Sequence, residues 1–421
     1  YRLACRLGSR REERRELVNK TYIFCNHCLS GIGGGQRYVQ AKSRWLIQEG
    51  WSVYVFHVEN GPVLLDFTDV KVINQLELVT SPRALGKRRF GKVIRSMLDE
   101  LPKKSDEVFV ESATTYLAFW GEAVARALRG KHLIFNLEEC PETPTRDEAE
   151  FLLFKLARKE LASINGDILR RLLSDHAEPD ADFSKYKLVA FNESPFEDIA
   201  SSYDFDKSRK IIGCIGRLEK PYVLKMAESV KEFCKAHSEC SVLLVFVGDA
   251  ADSHVRDKIA SYGDQLDNLA VRILGYVSPI PRQLVKSFDL VVGKSGAASF
   301  CAREDVPTAT YALDEDICLG IIGYDVPGGV CAGTYPEVKL ETVLEDVLIS
   351  EKYLNLPAKY PLSRLSEPSY ESHFEYGLDI EPCYYDVCSI RARPKRTLIM
   401  WWLTLFGNVR YGQIKSILKF R

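Results

Sequence analysis

Between the apolar run Thr21–Cys25 and a second one, Trp51–Val58, the chain carries the loop Ser30-Gly31-Ile32-Gly33-Gly34-Gly35 and then a stretch with apolar residues at Tyr38, Ala41 and Trp45 that closes at Gly50. The two outer runs have the β-branched and aromatic make-up of strands, and the spacing in the middle stretch is helical. Strand, glycine loop, helix and strand in that order specify a parallel crossover. The theme recurs, with Glu107–Val110 reading as strand, Ala113–Arg129 as helix and His132–Leu137 as strand. Repeated alternation of this kind predicts a parallel sheet with helices on both faces.

A polar stretch at Asp204–Arg209 precedes a fresh strand, Lys210–Ile215, and a second series starts there. It runs through the helix Val223–Ala236, the strands Val242–Val247 and Val271–Gly275, the helix Pro281–Phe288 and the strands Asp289–Val292 and Pro307–Leu313. At 421 residues the chain has room for two or three domains. The expectation is an α/β protein of two doubly wound Rossmann-like domains facing a cleft, over residues 20–200 and 207–345. A C-terminal extension with a basic amphipathic segment follows over 346–421.

Charge and cysteine content narrow the class. With 57 basic and 58 acidic side chains the net charge is −1, which argues against a nucleic-acid coat held by uniform basic charge. Twelve cysteines, scattered over this length, fit a reducing compartment better than a disulfide scaffold. No apolar run approaches the roughly 20 residues of a membrane span. Arg10–Glu16 is charged with no apolar segment behind it, so no secretory leader is expected. The tail is different: residues 391–421 hold eight basic side chains and no acidic one, leaving −9 on the first 390 residues.

In open parallel sheets, ligands bind beyond the carboxyl ends of the strands, so the residues just after each strand are the ones to weigh. The Gly31–Gly35 loop offers approachable backbone N–H groups at a helix start, which suits a phosphate. Its glycine spacing is not the dinucleotide fingerprint, and a tight strand-to-helix turn would need the same residues. Arg217 and Lys220 follow the first strand of the second series in Gly213-Cys214-Ile215-Gly216-Arg217-Leu218-Glu219-Lys220. Arginine suits bidentate phosphate contact and lysine a point charge, although solvated surface cations are the commoner fate of such residues. Lys294, Ser295 and Gly296 end the strand that begins at Asp289, and Ser295 or Ser299 also suits a helix N-cap.

Taken in order, these stretches resemble the nucleotide-sugar glycosyltransferases of the two-Rossmann-domain (GT-B) type, in particular those of bacterial polysaccharide biosynthesis. Ser30–Gly35 resembles their N-terminal loop, and Ile212–Leu218 the Gly-Arg-Leu strand end that opens their donor domain. Val242–Asp249 with its Gly-Asp, Val271–Ser278 with Gly275-Tyr276, and the spacing from Asp289 to Pro307 follow in the family's order. The resemblance covers residues 20–330. It implies transfer of a sugar from a nucleotide diphosphate donor to a hydroxyl acceptor of a cell-envelope polysaccharide or lipid-linked glycan. It implies a donor site of Gly33, Gly34, Arg217, Lys220, Gly248, Tyr276, Lys294, Ser295 and Gly296. Arg217 and Lys220 would neutralise the departing diphosphate, the Ser295-Gly296 loop would hold it, and Gly275-Tyr276 would contact the base. His27, Glu111 and Glu138, at strand ends of the acceptor domain, are the candidates for a general base in an inverting reaction. A cap or an ion-pair partner is the ordinary reading of each. The nucleotide sugar is a substrate, and no cofactor or metal is required.

One departure stands out. Seven residues before Pro307, where the family carries a glutamate that grips the donor, this chain has Phe300, and Asp305 replaces a glycine near the proline. Glu304 is almost one helical turn from the family's position. The alternatives are a non-catalytic nucleotide-sugar or glycan-binding subunit of the same fold, and a sugar-nucleotide epimerase.

Other patterns carry less. Cys25-Asn26-His27-Cys28 has a metal- or redox-pair gap but no second pair at zinc spacing. Glu138-Glu139 and Asp147-Glu148-x-Glu150 read as solvated acidic turns. In the tail, Thr397–Phe406 with Trp401 and Trp402 is flanked by Arg391, Arg393, Lys395 and Arg396 and by Arg410, Lys415, Lys419 and Arg421. That pattern suits an interfacial anchor on an acidic membrane surface, or equally a helix docking Trp401 and Leu405 on the protein's own core. The expected location is the cytoplasm, peripheral at the inner membrane face.

Overall fold

A computed structural model of the protein describes residues 19–406 apart from 28, 30–32, 59–62, 139–140, 165, 179–180, 191–193, 201, 251–252, 313–315, 328–334, 354–355, 361, 363–368 and 377–380. Gly31, Cys28, Glu139 and the cations from Arg410 onward therefore lie outside the described residues. The chain forms two compact units, one from 1–32, 39–190 and 369–421, the other from 33–38 and 191–368. Where the sequence reading carries the first domain to residue 200, the first unit stops at Ala190, and residues from 369 on return to it.

The elements of the first stretch are β1 (Lys20–Asn26), α1 (Gly34–Gln48), β2 (Trp51–His57), β3 (Lys71–Asn74), α2 (Pro82–Asp99), β4 (Glu107–Ser112), α3 (Thr115–Leu128), β5 (Lys131–Asn136), α4 (Arg146–Ala157), β6 (Leu161–Ser163) and α5 (Gly166–Leu173). The six strands form one sheet in the order β3-β2-β1-β4-β5-β6, every pair parallel. This is the 3-2-1-4-5-6 order of the Rossmann fold, whose topological switch lies between the first and fourth strands. β1 is buried on both faces, as a central parallel strand must be, and its Ile23 and Cys25 meet Trp120 of α3 in one core cluster.

The second unit repeats the scheme. Its elements are β7 (Phe196–Glu197), β8 (Lys210–Ile215), α6 (Pro221–Ala236), β9 (Val242–Val247), α7 (Ser253–Ser261), β10 (Leu269–Ile273), β11 (Ile280–Pro281), α8 (Arg282–Lys286), β12 (Leu290–Lys294), α9 (Ser295–Ala302), β13 (Thr308–Tyr311), β14 (Cys318–Ile321) and α10 (Leu340–Leu344). The sheet order β10-β9-β8-β12-β13-β14 is again 3-2-1-4-5-6, with β14 antiparallel at the edge. A short parallel pair, β7 with β11, stands beside it. The two doubly wound sheets expected from the sequence are both present.

The last two helices, α11 (Glu371–Glu375) and α12 (Pro394–Phe406), belong to the first unit. α12 lays Ile399, 5% exposed, into the core of that unit, whereas Leu398 and Trp401 are 63% and 58% exposed. Among the described side chains of this helix Ile399 is thus the buried one and Trp401 is not, while the Leu405 side chain lies outside them. Ahead of the helix, Arg393 is spent on the protein itself: its guanidinium donates to both Glu148 oxygens, to Glu142 Oε2 at 2.9 Å and to the Thr143 carbonyl. Glu148 also closes a capping box with Thr145 at the start of α4. No helix of the described residues is long and apolar enough to cross a membrane.

Candidate functional site

The switch point of the second sheet lies between β8 and β12. Leu290 pairs with Ile212 and Val291 with Gly213, and the same offset brings Lys294 level with Gly216. The backbone after β8 is stitched to the backbone after β9: Gly216 N–H donates to the Val247 carbonyl at 3.0 Å, and Leu218 N–H to the Asp249 carbonyl at 3.2 Å. Gly248 in turn bridges Gly275, which follows β10 with φ at 74°. Three glycines thus make a shelf of bare backbone along the carboxyl edge, where a ligand can approach the main chain closely.

Around this shelf stand the charged and aromatic groups singled out above. Arg217 is exposed, and Lys220 is the N-cap residue of α6 with Pro221 next, so the turn 216–220 ends where a helix begins. Tyr276 is 53% exposed. Burial raises its phenol above the ordinary value, the Glu219 and Asp249 carboxylates raise it further and Arg217 lowers it, so these four groups share one neighbourhood. Asp249 is held by Arg256, Nη1 to Oδ2 at 3.2 Å.

Lys294 differs from the other cations. Its side chain ends β12 only 9% exposed, with Nζ 5.9 Å from the Tyr222 ring centroid. Among the described residues no carboxylate lies within ion-pair distance of it. An ammonium at the carboxyl edge with no carboxylate beside it is placed to meet an incoming anion. Ser295 follows with φ at 57° and opens α9, and Gly296 is exposed beside it. Arg217, Lys220, Gly248, Tyr276, Lys294, Ser295 and Gly296 are therefore all set along one edge of one sheet.

Phe300 and Glu304 do not supply the missing carboxylate. Phe300 points into the core with Ile215, Val245 and Phe288, its ring edge-on to Phe196 at 6.4 Å. The Glu304 carboxylate bonds Arg282 Nη1 and lies 3.9 Å from Lys286 Nζ, while Arg282 also holds Asp198 at 2.8 Å. Glu304 is thus committed to α8 and does not stand in for the family's glutamate.

In the first unit the switch point lies between β1 and β4. Four side-chain atoms around this carboxyl edge are buried without a hydrogen-bond partner: Asn26 Nδ2, Ser81 Oγ, Thr114 Oγ1 and Asn136 Nδ2. Buried polar atoms are nearly always paired, so a cluster of exceptions marks a place built for polar company. Ser81 lines a cavity of about 60 Å³ together with Tyr116, Glu138 and Arg393. Glu138 donates its N–H to Asn136 Oδ1 at 2.8 Å, and the half-buried His27 stands edge-on to Tyr116 at 5.9 Å. His27 and Glu138 are therefore both neighbours of Tyr116. Gly33 and Gly34 fall in the 33–38 stretch assigned to the other unit: Gly33 N–H is taken by Gln36 Oε1 at 3.1 Å, and Gly34 is exposed in the first turn of α1.

Glu111 sits elsewhere, in the interior. It is 3% exposed, and its Oε2 accepts from Tyr22 Oη and from Lys42 Nζ, both at 2.5 Å. Lys42 Nζ also lies 2.9 Å from His373 Nδ1, and His373 Nε2 lies 2.9 Å from the Val189 carbonyl. A carbonyl only accepts, so Nε2 carries the proton and Nδ1 accepts from the ammonium. Burial alone would raise the Glu111 carboxyl, but the charge of Lys42 and the hydrogen bonds from Lys42 and Tyr22 hold it below its ordinary value. Burial, reinforced by Lys42, pushes His373 down to about 3.

A second interior network has the look of a hydrolase triad. Ser112 Oγ lies 3.0 Å from His132 Nε2, and His132 Nδ1 lies 2.7 Å from Glu122 Oε2. All three are buried, and a β-carbon on Gly121 of α3 would sit 2.1 Å from Ser112 Oγ. The helix backbone lies directly on the pair, leaving no room for a substrate. Lys155 Nζ reaches Glu122 at 2.8 Å and Tyr385 N–H reaches it at 2.7 Å, so the network ties β5, α3, α4 and the returning C-terminal segment together. Among the described residues no three His, Cys, Asp or Glu side chains converge as a metal site requires.

No protein-family model matches the sequence, and no curated protein sequence matches it. Solved structures do. The chain is similar to HepE from Anabaena in complex with UDP, at 13% identity over 68% of this chain and 79% of that one, with a TM-score of 0.47. It is similar to a sucrose-phosphate synthase from Thermosynechococcus elongatus, at 13% identity over 69% and 81%, with a TM-score of 0.45. It is also similar to the UDP-GlcNAc 2-epimerase from Neisseria meningitidis bound to UDP-GlcNAc, at 14% identity over 70% and 84%, with a TM-score of 0.42.

Proposed function

We propose that the protein is a glycosyltransferase that moves a sugar from a nucleoside diphosphate to a hydroxyl acceptor, with the donor diphosphate held at the carboxyl edge of the second sheet. The observation that carries this reading is Lys294, a buried ammonium with no described carboxylate beside it, level with the bare backbone of Gly216. Lys294, Arg217 and Lys220 together match the charge of a departing diphosphate, and positive groups fixed before the reaction stabilise charge as it develops. Tyr276 suits contact with the base. Among the base candidates, His27 and Glu138 are favoured by their shared neighbour Tyr116, whereas the ion-paired Glu111 is assigned a structural role.

For the acceptor, we favour a cell-envelope polysaccharide or lipid-linked glycan. The support is α12, whose exposed Leu398 and Trp401 stand beside the exposed Lys395, a pairing of apolar and cationic groups suited to an acidic lipid surface. Flotation with acidic vesicles tests this. Equal recovery of the intact chain and a Leu398→Ser, Trp401→Ser variant would remove it.

The donor reading is tested by thermal shift of the full chain with UDP, GDP, dTDP, ADP and CMP. A nucleotide at a hundredfold excess over its Kd adds about 2.7 kcal/mol, a rise of roughly 5–10 °C for a unit of this size. Arg217→Ala should abolish the rise. A flat response to every nucleotide would transfer the reading to a non-catalytic glycan-binding subunit, with the core-facing Phe300 as its cause. An epimerase would convert its nucleotide sugar with no acceptor present, so product analysis without acceptor separates that reading from transfer.

A further inference from the structure

A cavity of about 770 Å³ lies at the amino edge of the second sheet. It opens beside Lys210 at the start of β8, Asp289 ahead of β12 and Pro307 ahead of β13, and beside the turn that follows the antiparallel β14. The Gly216–Lys294 shelf is at the other end of the same strands, six residues or about 20 Å away at the rise of an extended chain. The cavity is thus separate from the proposed donor site, and its size is that of a pocket that encloses a small ligand.

Three tyrosines line it. Tyr324 Oη donates to the Tyr353 carbonyl at 3.1 Å, and Tyr353 Oη donates to Asp325 Oδ2 at 3.1 Å. Their hydroxyls are therefore engaged in fixing the rings, which stand 5.1 Å apart at 63°. Tyr360 joins them across the turn through its N–H, which donates to the Gly323 carbonyl at 2.8 Å. Tyr353 is packed in the core at 8% exposed, so what the wall offers a ligand is the half-buried rings of Tyr324 and Tyr360, the latter with Lys359 Nζ over one face at 5.1 Å.

The lining carries two basic and three acidic side chains. They are of both signs, Lys210 and Arg303 with Asp289, Asp305 and Glu351; Asp289 accepts from the Ile211 N–H at 2.7 Å and the Arg303 guanidinium lies over the Phe300 ring at 5.8 Å. Asp305 and Glu351 are exposed at the rim with φ of 62° and 51°, and Glu351 follows a π-helical turn, Glu345–Ile349. A phosphate only accepts hydrogen bonds and would meet Asp305 and Glu351 with its own charge. An alkyl chain would offer the charged groups of the lining no polar partner. A sugar can do what neither can, since each hydroxyl both donates to a carboxylate and accepts from an ammonium or guanidinium, and its C–H face covers an aromatic ring.

We propose that this cavity binds a neutral oligosaccharide, with a sugar face on the tyrosine wall and its hydroxyls on the rim charges of both signs. The proposal is independent of what the carboxyl edge binds. The test is saturation-transfer NMR of the full chain with maltohexaose, chitohexaose and mannohexaose. The expected result is transfer to ring protons of at least one of them, reduced about fivefold or more by Tyr360→Ala or by the cavity-filling Ala358→Trp, both at exposed or half-buried positions. Arg217→Ala and saturating UDP should leave the signal unchanged. Absence of transfer from all three sugars would overturn the proposal, as would a signal that survives both variants in protein of unchanged melting temperature. A signal displaced by UDP would also overturn it, because the sugar would then sit at the carboxyl edge.

Discussion

A β-carbon on Gly248 would lie 1.9 Å from the carbonyl oxygen of Gly216, and Gly248 holds φ at 153°. The obstacle is main chain against main chain, so no rotamer change relieves it. Gly248→Ala must therefore push the β9 turn away from the β8 turn and disturb the Gly275 bridge as well. We expect a loss of about 2–4 kcal/mol in stability and at least about tenfold in nucleotide affinity. Thermal melting followed by circular dichroism and titration calorimetry with the nucleotide found in the screen check the two halves separately. Unchanged melting would show that the turns are free to separate.

Lys294 makes the opposite prediction for stability. Replacing an ammonium that pairs with no described carboxylate by methionine keeps the volume and removes the charge, so Lys294→Met should melt no lower than the parent. The same change should weaken nucleotide diphosphate binding by about tenfold to a hundredfold, because a charge-assisted contact is lost. Affinity lost while stability is kept is the mark of a binding group. A variant that melts lower and still binds as the parent does would make Lys294 structural.

How much of this was legible in the sequence depends on range. The first crossover could be read because Thr21–Cys25, the glycine loop and the Tyr38–Trp45 spacing lie within a few turns of one another. The neighbouring edge strand β3, Lys-Val-Ile-Asn, is half-exposed along its length and carries no apolar run to announce it. β6 has three residues, and β14 reverses direction at the sheet edge, where alternation of strand and helix predicts nothing. For the candidate site, the strand-end rule pointed to one carboxyl edge for Arg217 and Lys294 because that rule is about backbone topology, and whether they bind a ligand is what the variants above test. It could not distinguish Glu111, whose Lys42 partner lies 69 residues earlier and whose burial is completed by a segment beyond residue 368. Nor could helical spacing foresee that Arg282, 22 residues upstream, takes Glu304.

The Lys42–Glu111 pair should behave as a buried pair does. Lys42→Met alone leaves a carboxylate in the interior, and Glu111→Gln alone leaves an ammonium, so each should cost about 3–5 kcal/mol. The double variant should recover much of that loss, giving a coupling of roughly 2 kcal/mol or more. Every tryptophan of the chain, at 45, 51, 120, 401 and 402, lies in the ranges of the first unit, so urea unfolding followed by tryptophan fluorescence reads that unit alone. Additive losses in the double variant would mean that the two side chains act independently.

The same probe reads the pH dependence. His373, with its pKa near 3 in the folded state, is neutral there but takes a proton in the unfolded chain below about 6.5. His132 is lowered by burial in the same sense. Stability from these groups is complete above pH 6.5 and falls as the pH drops, by about 1.4 kcal/mol per pH unit for each histidine. Glu122, held at about 2 against burial by His132 and Lys155, adds a further loss between pH 4.5 and 2. His373→Gln should flatten the slope between pH 6.5 and 5. An unfolding free energy constant from pH 7.5 to 5 would contradict these assignments.

Arg393 fastens the returning segment to α4, and its removal exposes what that contact is worth. Glu148 is 5% exposed and receives the guanidinium on both oxygens, so Arg393→Ala strands a nearly buried carboxylate at the helix start. The capping box with Thr145 and the helix N-terminus keep part of its stabilisation, and the expected cost is about 2–3 kcal/mol. Because α12 follows at Pro394, the variant should also be cut by protease near residue 391 several times faster than the parent, as local opening grows with the loss of its tether. Arg393→Lys keeps the charge but not the fork that meets two carboxylate oxygens at once, and should fall between the two. Cleavage rates equal in all three proteins would mean that Ile399, rather than Arg393, holds the segment down.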